Sequence, residues 1–136
     1  MSAVTPERRR RILVIDDSPT IRRSAALVLE RAGLDVELAE NGFEALAQIS
    51  DARPDLILLD VVMPRLDGYQ TCSLLRRHPA FADVPVVMLS GRDTVFDRVR
   101  GRMAGSDLYL TKPFTADALL DAVQRHLHPI AGPEGH

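Results

Sequence analysis

The sequence predicts an α/β fold built on a doubly wound, five-stranded parallel sheet with the strand order 2-1-3-4-5. Strand-like and helix-like hydrophobic spacings alternate five times along the chain, which is typical of right-handed βαβ crossovers and parallel strands. Three predicted strands are continuous apolar runs, as expected of strands covered on both faces. The other two alternate apolar and polar residues, which favours the sheet edges and sets the order.

The first strand and helix are well delimited. The strand is the apolar run Ile12–Ile15. Ser18 is the expected N-cap, Pro19 takes the first helical position and Gly33 ends the helix. The helical spacing is carried by Ile21, Ala25, Val28, Leu29 and Ala32.

The second unit pairs a half-exposed strand with a helix. In the strand, apolar and acidic residues alternate over 34–38, so one face should meet water. Asn41-Gly42 opens the helix. Its apolar positions are Phe43, Leu46 and Ile49.

The third and fourth strands are continuous apolar runs that end at polar residues. Leu56–Leu59 leads into Asp60, and a helix is predicted over about Gly68–Arg77. Val84–Leu89 leads into Ser90.

The last part of the chain completes the alternation. A weakly amphipathic helix is predicted over about Asp93–Ala104, and Leu108–Leu110 form a short alternating strand before Thr111-Lys112-Pro113. The last helix is marked by Leu119, Leu120, Val123 and Leu127.

The composition indicates one domain, over residues 11–128, with flexible tails at 1–10 and 129–136. The chain has 136 residues, a net charge of −2 and a single cysteine, Cys72. These values give no reason to expect nucleic-acid binding, and they exclude a disulfide framework and a cysteine-based zinc site. No apolar run approaches the ~18 residues of a membrane helix, so we expect no membrane insertion and a cytoplasmic location.

Polar side chains follow four of the strands at the sheet edge where parallel strands end. They are Asp16 and Asp17, Asp60, Ser90 and Lys112. Three clustered carboxylates need a cation, and oxygen ligands suit Mg²⁺ or Mn²⁺. One carboxylate could then attack phosphorus, while a hydroxyl and an ammonium stabilise the transferred group. Lys112 stands alone among sixteen arginines, which suggests a position where a guanidinium will not serve.

Four motifs stand in order, each at the end of a predicted strand. They are Ile15-Asp16-Asp17-Ser18, Leu59–Pro64 with Asp67-Gly68, Leu89-Ser90-Gly91 and Leu110–Phe114. Together they resemble the receiver domain of two-component response regulators over about residues 10–128, which implies a flavodoxin-like receiver fold. Met63–Cys72 and Gly105–Phe114 are further similar to single-domain regulators of type IV pilus (twitching motility) chemosensory systems.

The resemblance implies a phosphorylation site. Asp60 corresponds to the family's phosphoacceptor, and Lys112 to the lysine that pairs with a phosphoryl oxygen. Asp16, Asp17 and Asp60, with the backbone carbonyl of Val62, correspond to the Mg²⁺ ligands.

The resemblance also implies a switch and a tunable lifetime. Ser90 and Tyr109 correspond to the switch pair, although a turn serine and an edge-strand aromatic would explain them singly. Lys112-Pro113 corresponds to a cis bond. Val62 and Arg92 replace the polar and acidic residues that place the attacking water in the fastest relatives, so we expect slow dephosphorylation.

The implied function is a phosphorylation-controlled interaction module rather than an enzyme acting on other substrates. A chemosensory-type histidine kinase, or a small donor such as acetyl phosphate, would phosphorylate it, and the face of helix four, strand five and helix five would bind an effector. About eight residues follow the last helix, so we expect a stand-alone regulator. The sequence leaves open the alternative that the regulator is an intermediate or a phosphate sink in a phosphorelay. A Mg²⁺-dependent aspartyl-phosphate phosphohydrolase is disfavoured, because Ser18 and Val62 stand where such enzymes have an acid.

Overall fold

The structure, a computed structural model, describes residues 9–79, 81–91 and 94–127. The strands are β1 (Arg11–Ile15), β2 (Asp35–Ala39), β3 (Leu56–Asp60), β4 (Val86–Ser90) and β5 (Leu108–Thr111). The helices are α1 (Pro19–Arg31), α2 (Gly42–Ala52), α3 (Gly68–Arg77), α4 (Val95–Ala104) and α5 (Ala116–His126). The predicted alternation of strands and helices is therefore confirmed.

The five strands form one parallel sheet in the order β2-β1-β3-β4-β5, as predicted. The order reverses between β1 and β3, because the chain leaves β1 toward β2 on one side and returns to β3 on the other. At such a point the helices diverge and leave a crevice at the carboxyl ends of the strands. Ile15 lies beside Leu59 in the register, so Asp16 and Asp60 leave the sheet next to each other.

Each helix begins at a side chain that accepts a hydrogen bond from a backbone N–H of the first turn. The five N-caps are Ser18, Asn41, Asp67, Thr94 and Thr115. Such caps satisfy one of the backbone N–H groups that have no partner inside the helix. The starts of the helices are thus encoded locally.

The core lies in two layers, one on each face of the sheet. Leu13 and Ile15 of β1 face the layer that includes residues of α2 and α3, whereas Ile12 and Val14 face the layer beneath α1 and α5. Because successive residues of a strand point to opposite faces, a continuous apolar run fills both layers. The central strands are accordingly buried throughout, apart from the first residue of β1.

Some boundaries and burials differ from the sequence expectation. β4 begins at Val86 rather than Val84, because Pro85 has no N–H to donate and contributes only its carbonyl, which accepts from Ile57. Phe43, expected on the apolar face of α2, is about half exposed and lies under the Arg65 guanidinium. α4 begins two residues later than predicted, after its cap Thr94.

Part of the sequence interpretation falls on residues that are not described. The predicted tails are described only at residues 9 and 10, and Arg92 also lies outside the described residues. None of the helices in the described ranges is long and apolar enough to cross a bilayer.

Candidate functional site

Three carboxylates meet at the carboxyl ends of β1 and β3. Asp16, Asp17 and Asp60 each present an oxygen within 4.8 Å of the others. Asp16 and Asp60 are buried, whereas Asp17 is exposed at the mouth of the crevice. The sheet order accounts for this convergence of residues that are distant in sequence, because β1 and β3 are neighbours.

Lys112 supplies the positive charge of the crevice. Its Nζ donates hydrogen bonds to Asp16 Oδ2 at 2.8 Å and to Asp60 Oδ1 at 3.1 Å. Its backbone N–H donates to the Ser90 carbonyl at 2.7 Å, which ties the residue to the end of β4. The Lys112-Pro113 bond is cis, as the resemblance implied. The ammonium thus bridges the carboxylates that follow β1 and end β3.

The crowding of charge perturbs the ionisation of Asp60 and Lys112. Burial, followed by repulsion from Asp16, raises the pKa of Asp60 to about 6, against the lowering influence of Lys112. Burial by itself would lower the pKa of Lys112, but its hydrogen bond to Asp16 and the nearby charges outweigh that effect and raise it. The ammonium of Lys112 therefore does not outweigh the combined effects of burial and of repulsion from Asp16 on the pKa of Asp60.

The oxygen set fits a divalent cation of the Mg²⁺ type. Three carboxylates in mutual reach, one of them open to water, are the hard ligands that Mg²⁺ or Mn²⁺ prefers. Burial is the main cause of the raised pKa of Asp60, and repulsion from Asp16, the second cause, is the part that a cation would offset. These observations support a metal site at the predicted residues.

Backbone contacts hold the two buried carboxyl groups in place. Asp16 Oδ1 accepts from the N–H of Ser18 at 2.9 Å, and Asp60 Oδ1 accepts from the N–H of Val62 at 3.3 Å. Arg22, which the sequence reasoning missed, donates from Nη1 to the Asp16 carbonyl at 2.6 Å. The sequence feature that could have indicated this contact is the position of Arg22 in the first turns of α1, shortly after the acidic pair.

Gly68 is a second residue whose role the sequence reasoning missed. A Cβ built on Gly68 would collide with the Asp60 carbonyl oxygen and with the backbone of Val61. The N–H of Gly68 donates to the Val61 carbonyl at 2.9 Å. Glycine therefore lets the start of α3 pack directly on the segment that carries Asp60.

The two switch candidates lie on β4 and β5. Ser90 is buried at the end of β4. Tyr109 lies on β5, where it is paired in register with Met88 of β4. Tyr109 is more deeply buried than expected for an edge-strand aromatic, because α4 covers it: a Cβ at Gly101 would lie 3.2 Å from the Tyr109 ring. Among the described residues, the Tyr109 hydroxyl has no hydrogen-bond partner.

Val62 and Arg92 are the two residues that the resemblance links to the lifetime of the phosphorylated form. The Val62 side chain, two residues after Asp60, is 60% exposed, and its interpretation stays a prediction. The structure does not place the side chain of Arg92, so its interpretation stays a prediction.

The similarity of this chain to known proteins shows which family it belongs to. The profile described as "Response regulator receiver domain" matches residues 12–124, which include all of the sheet except Arg11 and most of α5. The chain belongs to the response regulator receiver family. This receiver domain is 52% identical over 117 residues to protein PilG of Pseudomonas aeruginosa, a match that covers 86% of this chain and 87% of PilG.

The chain is also similar to other response regulators, over different shares of their length. Response regulator MprA of Mycobacterium sp. (strain KMS) is 46% identical over 127 residues, a match that covers 91% of this chain but only 54% of MprA. The solved structure of the chemotaxis protein CheY4 of Vibrio cholerae superposes with a TM-score of 0.85 at 34% identity, covering 88% of this chain and all of CheY4. The receiver fold and the PilG-like sequence are thereby established.

Proposed function

We propose that this receiver domain is a Mg²⁺-dependent phosphorylation switch whose acceptor is Asp60. The observation that carries the proposal is the pair of hydrogen bonds from Lys112 Nζ to Asp16 and Asp60 in a crevice lined by three carboxylates. A buried carboxylate held beside an ammonium is positioned to attack phosphorus, and the ammonium is positioned to receive a phosphoryl oxygen.

The transfer from a sensor histidine kinase is a single displacement at phosphorus. A carboxylate oxygen of Asp60 forms the new O–P bond while the N–P bond of the phosphohistidine breaks, and the electron pair returns to the imidazole nitrogen. Lys112 and Ser90 then donate hydrogen bonds to the phosphoryl oxygens. Acetyl phosphate would serve in the same way, with acetate as the leaving group.

Asp16, Asp17 and Asp60, together with the Val62 backbone carbonyl, would hold the divalent cation. A bound Mg²⁺ would offset the charge of these carboxylates and of the phosphoryl oxygens. The fixed carbonyl of Asp16 and the N–H of Ser18 limit how far the Asp16 side chain can move, because both are hydrogen-bonded.

The output of the switch would be a change on the face of α4, β5 and α5. Ser90 would turn toward the phosphoryl group, and the Tyr109 ring beneath α4 would adjust its position. The buried Tyr109 hydroxyl, which has no partner among the described residues, supports a second position with a better hydrogen bond. An effector protein would read this face.

The similarity to PilG favours a chemosensory pathway linked to type IV pili and twitching motility. We infer a chemosensory-type histidine kinase as the donor, an effector protein as the partner, and a location in the cytoplasm where such kinases act. The net charge of −2 supports neither nucleic acid nor membrane as a partner. A phosphorelay intermediate or phosphate sink would use the same site without the switch.

Acetyl phosphate with Mg²⁺ tests the proposal directly. We expect one phosphoryl group per chain, on Asp60, and none after metal chelation or in Asp60→Asn. Asp51→Asn, at an exposed position of α2, is the matched control and should be labelled normally. Labelling of another residue would overturn the assignment, and sustained turnover of a phosphomonoester would favour a phosphohydrolase.

A further inference from the structure

Helix α4 turns an apolar stripe toward solvent. Val95, Phe96, Val99 and Met103 are 78, 72, 46 and 83% exposed. At about 100° per residue these positions span roughly a quarter of the helix circumference. Gly101, the buried residue of this fully described helix, lies on roughly the opposite side. In a typical surface helix the large apolar residues face the core. In α4 they face solvent instead, and the small residue Gly101 faces the protein.

The stripe meets a groove between α3 and α4. The groove has a volume of about 490 Å³, and its apolar lining includes Leu66, Tyr69, Leu74 and Met103. Met103 belongs to both features, so the stripe and the groove form one continuous apolar surface, here named the α3–α4 surface. A concave apolar channel of this kind suits the ridge of a helix.

Arginines border this surface on both sides. Arg77 and Arg100 line the groove, and Arg102 flanks the stripe on α4. The guanidinium of Arg100 lies 4.5 Å above the centre of the Tyr69 ring, directly over the groove lining. The two helices carry five arginines and one acid, although the whole chain has a net charge of −2.

Two acidic residues in this part of the fold, Asp97 and Asp107, already accept hydrogen bonds from other groups. Asp97, the acid of α4, accepts a hydrogen bond from the Thr94 hydroxyl at the helix cap. Asp107 accepts from Arg76 at 2.9 Å and from the N–H of Val86 at 2.8 Å. The positive rim at Arg77, Arg100 and Arg102 is therefore complementary to negative charge on a binding partner.

We propose that the α3–α4 surface binds an acidic amphipathic helix of a partner protein, with its apolar side in the groove and its carboxylates against the arginine rim. A second copy of this chain fits less well, because a two-fold contact would set arginine against arginine. A bilayer fits less well, because a flat surface does not fill a groove. The surface lies beside the α4–β5–α5 face proposed above, and its occupation does not require phosphorylation of Asp60.

The test uses the unphosphorylated full chain and two synthetic peptides, so its outcome is independent of the phosphorylation proposal. The first is a labelled helical peptide of about 16 residues with leucines at i, i+3, i+4 and i+7 and glutamates on both flanks. The second replaces every glutamate by lysine. In fluorescence anisotropy we expect saturable binding of the glutamate peptide, at least about tenfold tighter than the lysine peptide.

Variants locate the binding on the surface. Phe96→Ser and Met103→Ser should each weaken binding of the glutamate peptide about tenfold, because both side chains are already exposed and their loss should not disturb folding. Leu27→Ser, an exposed leucine on α1, is the matched control and should leave binding within about twofold. Arg77→Glu combined with Arg100→Glu should reverse the preference toward the lysine peptide, with Arg23→Glu on α1 as its control. Should the double variant fail to fold by circular dichroism, Arg77→Gln must still reduce the discrimination between the peptides.

Several results would overturn the proposal. Equal binding of both peptides, or equal loss in Leu27→Ser, would show that the surface does not select an acidic helix. Concentration-dependent dimers that Met103→Ser abolishes would assign the surface to self-association. Tighter association with anionic phosphatidylglycerol vesicles than with the glutamate peptide, lost in Phe96→Ser, would assign it to a membrane.

Discussion

Lys112 and Asp16 are joined by a 2.8 Å hydrogen bond across 96 residues of sequence. Asp16 is fully buried, and the Lys112 side chain is 20% exposed. The same ammonium reaches Asp60 at 3.1 Å. The lysine therefore holds the ends of β1 and β3 together electrostatically. Because Lys112 directly follows β5, it also connects both of these strands to β5.

Replacing Lys112 by methionine should destabilise the fold. Asp16 would then be left as a buried, uncompensated charge, and we expect a loss of about 2 to 4 kcal/mol in the free energy of unfolding. Urea unfolding at neutral pH measures this loss. Arg125→Met is the matched control, because Arg125 and Asp121 form an exposed pair that contributes about 0.3 to 0.5 kcal/mol. Equal losses in the two variants would show that the buried pair has no special weight.

The stability of the metal-free protein should fall as pH rises through the titration of Asp60. The pKa of Asp60 is raised from 3.8 to about 6, so between these values the folded state binds more protons than the unfolded state. Unfolding therefore becomes easier as pH increases across this window, and the decline ends above pH 6.

Asp60→Asn should remove that decline. The free energy of unfolding of this variant should increasingly exceed that of the wild type between about pH 4 and 6.5. The difference should reach on the order of 1 to 3 kcal/mol, measured by urea unfolding in the presence of a chelator. Asp51→Asn, on the exposed side of α2, should follow the wild type at every pH. A constant difference between Asp60→Asn and wild type would show that the carboxyl group does not titrate in this range.

Gly68→Ala should disturb the backbone segment that carries Asp60. Its Cβ would collide with the backbone of Asp60 and Val61, which cannot move as a side chain would, so we expect about 1 to 3 kcal/mol of destabilisation and slower labelling by acetyl phosphate. Gly91→Ala is the control, since a Cβ there meets nothing within 4 Å. A fully stable Gly68→Ala would mean that α3 can shift away from β3 at no cost.

Ser90→Ala should separate phosphorylation from the response to it. The variant should still accept a phosphoryl group on Asp60, yet bind the effector no better than the unphosphorylated protein. The chain contains two tyrosines and no tryptophan, so in a Tyr69→Phe background the intrinsic fluorescence reports Tyr109 alone. Beryllofluoride should change the Tyr109 fluorescence in the protein that retains Ser90 and in the Ser24→Ala control. It should not change this fluorescence in Ser90→Ala. A normal fluorescence change in Ser90→Ala would locate the coupling elsewhere.

The phosphorylated form should decay more slowly than that of a motor-binding chemotaxis regulator. Val62 offers no hydrogen bond to an attacking water, and each tenfold of slowing corresponds to ~1.4 kcal/mol in the barrier. Loss of radiolabel from Asp60 should accelerate in Val62→Asn combined with Arg92→Glu, whereas Val95→Asn on α4 should leave it unchanged. An unchanged rate in the double variant would show that these positions do not control the lifetime.

The strand order and the meeting of Asp16, Asp60 and Lys112 could be predicted from the sequence. Continuous apolar runs distinguish central strands from edge strands, and a parallel sheet brings the carboxyl ends of its strands to one side. The helix starts were also readable at Ser18 and Asn41, because caps depend on neighbouring residues alone. Motif order added the receiver family, which the comparisons confirm.

Tertiary structure decided what depends on the packing between elements. Asp16 is buried and Asp17 exposed although they are adjacent and both carboxylates belong to the same cluster, because the surrounding elements cover only one of the two side chains. Arg22 reaches the Asp16 carbonyl only because α1 packs beside β1, and Gly68 matters only because α3 meets the segment after β3. Likewise, apolar spacing in α4 identified a helix but not the direction of its apolar face. That direction follows from the close fit of Gly101 against Met88 and Tyr109, a contact between elements that no local pattern encodes.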